Sequence, residues 1–198
     1  MCIRDSYICC PDQVEEFSDT PITEDQIRAI FVDSRIKSVN ISMFKYSPGQ
    51  FIDKADSCAI PQFLPHFTYF TYRVISLIKS MTELGIFMKD VEADAFILTR
   101  VDMLPNIADF GGCFNNIKPS TAYIWRTYPF PDPGYAEDRA IVCGKNLVNA
   151  LPAYYDNFPV DNYNFISEYT LGKYLKLKPD IEMLPQYGVR METQLYQI

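Results

Sequence analysis

The sequence predicts a single α/β domain, and three observations carry that reading. The first is a long amphipathic helix. Phe67, Phe70, Val74, Leu77, Ile78, Met81 and Leu84 recur at three- and four-residue intervals over about five turns. Gly85 then reads as the end of this helix or a kink in it. The second is Ala95-Phe96-Ile97-Leu98-Thr99, a run without polar alternation, as in a strand covered on both faces. The third is a pair of further short apolar runs, Ala122–Trp125 and Ala140–Cys143. A long helix feeding a buried strand is the order expected around an α/β sheet.

The remaining elements follow in chain order. A helix is predicted from Thr23 to Phe31, where Thr23 and Gln26 form a capping box and Glu24 and Asp25 suit the positive helix start. Ile22 and Ile27 stand at staple positions, and Ile27, Ile30 and Phe31 make the buried stripe. Val39, Ile41 and Met43 alternate with Ser38, Asn40 and Ser42, the pattern of a half-covered strand. Gly111-Gly112 reads as a turn. Between Tyr128 and Asp138 lies a loop stiffened by Pro129, Pro131 and Pro133. Helical segments are expected at Lys145–Leu151, interrupted by Pro152, and at Asn164–Leu177, stopped by Pro179. A closing strand is expected near Gly188–Met191.

Composition narrows the function. The chain has 198 residues, 48% of them hydrophobic, which suits one folded domain. With 18 Lys+Arg against 25 Asp+Glu, the net charge of −7 argues against nucleic acid, whose backbone needs a concentrated basic face. His66 is the single histidine, so His-rich metal sites are excluded and any acid–base chemistry falls to carboxylates. Cys2, Cys9, Cys10, Cys58, Cys113 and Cys143 contain no CxxC and read as reduced thiols of a cytoplasmic protein. No apolar stretch has the length of a membrane span.

Two places join a buried strand to charged residues. Arg100 and Asp102 directly follow the Ala95–Thr99 strand, and ligands of open α/β sheets bind outside the carboxyl ends of strands. An acid there can take Mg²⁺ or Mn²⁺ bridging a diphosphate, and an arginine can neutralise phosphate directly. The plain alternative is an Arg–Asp ion pair ending a strand. Glu137-Asp138-Arg139 lies just before the Ala140–Cys143 strand, where a loop carboxylate can act as a base. Its plain alternative is a solvated turn capped by Asp138. Asp132 is a weaker choice. Tyr128, Phe130 and Tyr135 either pack the loop or offer faces on which sugar rings stack, and Tyr123 and Trp125 read as core.

The order of these pieces resembles GT-A-like glycosyltransferases of surface polysaccharide assembly. Asp94 to Leu104 is similar to the family's buried strand ending in Arg-x-Asp, a variant of the Asp-x-Asp nucleotide-sugar motif. Glu137 to Gly144 resembles its acidic segment leading into an apolar strand and a glycine. Asn164–Leu177, with Glu168, resembles its helix before a final strand, and Tyr7–Phe44 resembles its first strand, helix and second strand. The resemblance implies a three-layer, Rossmann-like, mostly parallel sheet flanked by helices. It implies Asp102 as the ligand of Mn²⁺ or Mg²⁺ or of the diphosphate, with Arg100 beside the donor phosphate. Asp138 would be the base, and Glu137 and Tyr135 substrate contacts. The partners implied are a nucleotide-sugar donor and a glycan acceptor. The first acid of Asp-x-Asp is replaced here by Arg100.

Met1-Cys2-Ile3-Arg4-Asp5-Ser6 resembles an adaptor-derived run at the starts of conceptual translations. Residues 1–6 are therefore set apart, and residues 7–198 are expected to form one domain truncated at its front. Two further readings compete with the transferase. A carbohydrate-binding or assembly module would keep the fold without turnover. A phosphatase would need an Asp-x-Asp-x-Thr nucleophile motif, which the chain lacks, as it lacks a Walker-type glycine loop.

Overall fold

The computed structural model describes residues 5–11, 23–30, 38–44, 67–99, 103–105, 107–125, 140–158, 167–186 and 191–193. Strands β1 (Asp5–Pro11) and β2 (Ser38–Phe44) pair in parallel, with Asp5 opposite Ser38 and Pro11 opposite Phe44. Asp5 and Ser6, set apart by the adaptor-like resemblance, lie within β1. Helix α1 (Glu24–Ile30) separates the two strands in the chain. Its start is the expected capping box: the Gln26 amide donates to Thr23 Oγ1 at 3.3 Å, and the Thr23 amide donates to Gln26 Oε1 at 2.8 Å. Arg28 pairs with Glu24 one turn back and donates to the Val39 carbonyl at 2.7 Å, fastening α1 to β2. Ile27 is buried as expected, while Ile22 and Phe31 lie outside the described residues. All seven β2 positions are half-buried, so the predicted alternation does not resolve into one covered and one bare face.

Helix α2 (Phe67–Met88) is 22 residues long and packs on both β1 and β2. Val74 and Ile78 lie in its buried stripe as predicted, but the stripe is centred on Ile75, Ile78 and Thr82. A buried threonine is tolerated because its Oγ1 accepts the Tyr155 amide at 2.9 Å. Gly85 does not end the helix. It sits inside it, and a Cβ there would lie 2.5 Å from Leu151 Cβ and 2.9 Å from Pro152 Cδ. The glycine answers a close approach between two chain segments, which no local pattern encodes.

The central sheet has four strands in the order β3-β6-β5-β7. These are β3 (Phe96–Thr99), β5 (Thr121–Trp125), β6 (Ala140–Cys143) and β7 (Glu182–Gln186). Strand β6 runs antiparallel to both β3 and β5, and β5 is parallel to β7. The sheet is therefore mixed, where a mostly parallel one was expected. The sequence supplied strand positions but no signal for direction, which depends on how the β5–β6 connection returns. Strand β7 was not expected at all. Pro185 argues against a central strand, but among the described residues β7 is paired only with β5, and an edge strand can accommodate a residue that lacks an N–H. A small antiparallel pair joins β4 (Met103–Pro105), which was unforeseen, to β8 (Met191–Thr193); the closing strand expected near Gly188–Met191 meets β8 at Met191, and residues 187–190 lie outside the described residues.

The register sorts side chains onto two faces. Phe96, Leu98, Ala122, Ile124, Ile141 and Cys143 join the main core with Val74, Ile75 and Ile78 of α2. That core also takes Leu147 and Val148 of α4 (Lys145–Ala150) and Tyr154 of α5 (Tyr154–Asn157). A 3-10 turn at Leu151–Ala153, with Pro152 at its second position, joins these two short helices, so the interruption expected at Pro152 is a change of helix type. Helix α6 (Ser167–Lys176) adds Leu171, Tyr174 and Leu175. Tyr174 stacks on Tyr154 with ring centroids 4.6 Å apart, and its hydroxyl donates to the Ala150 carbonyl at 2.6 Å. Each fully buried Leu, Ile or Val of this core contributes about 1.5–3 kcal/mol relative to exposure.

On the opposite face, Trp125, Ala140 and Val142 pack against Phe110 and Cys113. The covering segment is a 3-10 turn, Ile107–Phe110, running into α3 (Gly111–Phe114). Gly111 and Gly112, expected to form a turn, open this single helical turn and are exposed. Trp125 is core, as predicted, and Tyr123 is partly buried beside the same cluster.

Candidate functional site

The two ends of the central sheet differ in how the chain closes them. At one end lie the starts of β5 and β7 and the exit of β6. Backbone bonds tie it shut: the Gly144 amide donates to the Thr121 carbonyl, Asn146 to Pro119, and Glu182 to Ser120, all within 3.0 Å. Asn146 Nδ2 adds a bond to the Asp180 carbonyl at 3.0 Å. Gly144 is pressed so closely on this crossing that a Cβ would lie 2.0 Å from the Lys118 oxygen.

The other end gathers the carboxyl ends of β3, β5 and β7 and the start of β6. Leu98, Ile141, Ile124 and Pro185 form one row across the four strands. One residue further on, Thr99 is paired with Ala140 and Trp125 with Gln186. Thr99 is exposed and Ala140 fully buried. Arg100 follows Thr99 directly, and Arg139 precedes Ala140 directly. Thr99 and Ala140, the described residues next in the chain to the two charged motifs, thus end one pair of hydrogen-bonded strands at one end of the sheet. Arg100, Asp102, Tyr135, Glu137 and Asp138 themselves lie outside the described residues, as do His66, Tyr128, Phe130 and Asp132.

Beyond Asp102 the chain re-enters described structure at Met103, where β4 pairs with β8, Met103 opposite Thr193. It then forms the turns that cover the second face. Gln186, the last residue of β7, holds these turns with both ends of its amide. Nε2 donates to the Asp109 carbonyl at 3.3 Å, and Oε1 accepts the Cys113 thiol at 3.1 Å. Sequence reasoning missed Gln186, and its only signal is a polar residue ending a strand that was itself not legible.

Two cysteines, Cys113 and Cys143, have described side chains, and both are buried. Burial raises the Cys113 thiol above its ordinary value, and burial pushes the Cys143 thiol up further still. Both stay protonated near neutral pH, and a thiol is a poor nucleophile without its thiolate. Among the described residues no group of three His, Cys, Asp or Glu is placed to hold a metal. Among them, too, no helix is long and apolar enough to cross a membrane. Comparison with protein-family models, curated proteins and solved structures finds no match to this chain.

Proposed function

We propose that the chain is a nucleotide-sugar-dependent glycosyltransferase of GT-A-like type, acting on a glycan acceptor in the cytoplasm. One observation carries the reading. The Thr99–Ala140 pairing puts the residue before Arg100 and the residue after Arg139 at the same end of adjacent strands, which supports drawing one site from the two charged segments. Strand ends of this kind are where open α/β sheets take ligands.

The roles follow from charge. Arg100 neutralises a phosphate of the donor, as a guanidinium does with paired hydrogen bonds. Asp102 faces the same diphosphate, directly or through Mn²⁺ or Mg²⁺. Such cations commonly take one or two carboxylates, with substrate phosphates supplying further oxygens, so a single acid with a diphosphate is a fitting donor set. The metal, when bound, would stabilise charge on the departing nucleotide diphosphate. Asp138 accepts the proton of the acceptor hydroxyl while its oxygen bonds the anomeric carbon. The bond from that carbon to the phosphate oxygen breaks, and nucleotide diphosphate leaves. Glu137 and Tyr135 orient the acceptor.

The test is release of nucleotide from UDP- or GDP-sugars in the presence of glycan acceptors, with and without Mn²⁺. Release that disappears in Asp138→Asn supports the reading. Binding of glycans with no nucleotide release from any donor makes the chain a carbohydrate-binding module instead.

A further inference from the structure

We draw no further inference here: the strongest candidate, the surface patch just past the end of α6 where the exposed Leu177 stands between Lys176 and Lys178, carries nothing because nothing in the structure shows what covers it.

Discussion

Thr99, the last residue of β3, is paired directly with Ala140, the first residue of β6. The two share a face of the sheet, yet one is exposed and the other fully buried, so the second core ends between them. This pairing brings together the two described residues that stand next to the charged motifs in the chain. It also sets the direction of β6, whose reversal distinguishes this sheet from an all-parallel one.

The closed end of the sheet should tolerate no added methyl group. Gly144→Ala would drive a Cβ to 2.0 Å from the Lys118 oxygen and 2.6 Å from Pro119 Cα, both backbone atoms that cannot swing away. Overpacking of this kind costs about 1–3 kcal/mol and more where backbone must move. Gly85→Ala is the milder case. Alanine is favoured over glycine within a helix by about 1 kcal/mol, but the 2.5 Å approach of Leu151 Cβ outweighs it. Thermal unfolding should rank the Tm values as wild type, then Gly85→Ala, then Gly144→Ala.

Lys145 fastens the end of the long helix. Its ammonium donates to the carbonyls of Met88, Lys89 and Val91 and lies 5.5 Å from the Phe96 ring centroid. The last carbonyls of a helix have no partners within it, and a lysine is well suited to satisfy them. Lys145→Met keeps the apolar stem and removes the donors. The expected loss is about 1–3 kcal/mol, a fall in Tm of roughly 2–10 °C. A Tm within a degree of wild type would show that water replaces the lysine without cost.

Alkaline pH should destabilise the fold through Cys143. Its thiol has an ordinary value of 9.0, and burial holds it well above that in the native chain. The unfolded chain therefore begins to release a proton near pH 9 that the folded chain keeps. The contribution is fully present below pH 9 and is lost as pH rises beyond it, at up to about 1.4 kcal/mol per pH unit. Cys143→Ala removes the group, so its Tm should fall less steeply than wild type between pH 8 and pH 10. Equal slopes would contradict the assignment.

Legibility followed the range of the signal. The α1 capping box, the α2 period and the apolar strands β3, β5 and β6 are local patterns, and each was readable. The Gly85 approach to Leu151 and the Gly144 approach to Lys118 join residues distant in sequence, and a glycine alone does not name its neighbour. Strand β7 was hidden by Pro185, and β4 is three residues long, too short for a period to appear. For the candidate site, residue types and strand ends were readable at Arg100, Asp102 and Asp138. That the strands beside them end together required the β3–β6 register, and Gln186 required β7.

Donor binding tests the central claim most directly. Calorimetric titration of UDP- and GDP-sugars, with and without Mn²⁺, should show saturable binding to the wild-type chain. Asp102→Asn should weaken that binding at least about tenfold, the effect of some 1.4 kcal/mol, with the unliganded Tm unchanged. Binding of equal strength in Asp102→Asn, or no binding of any nucleotide sugar by the wild-type chain, would contradict the account.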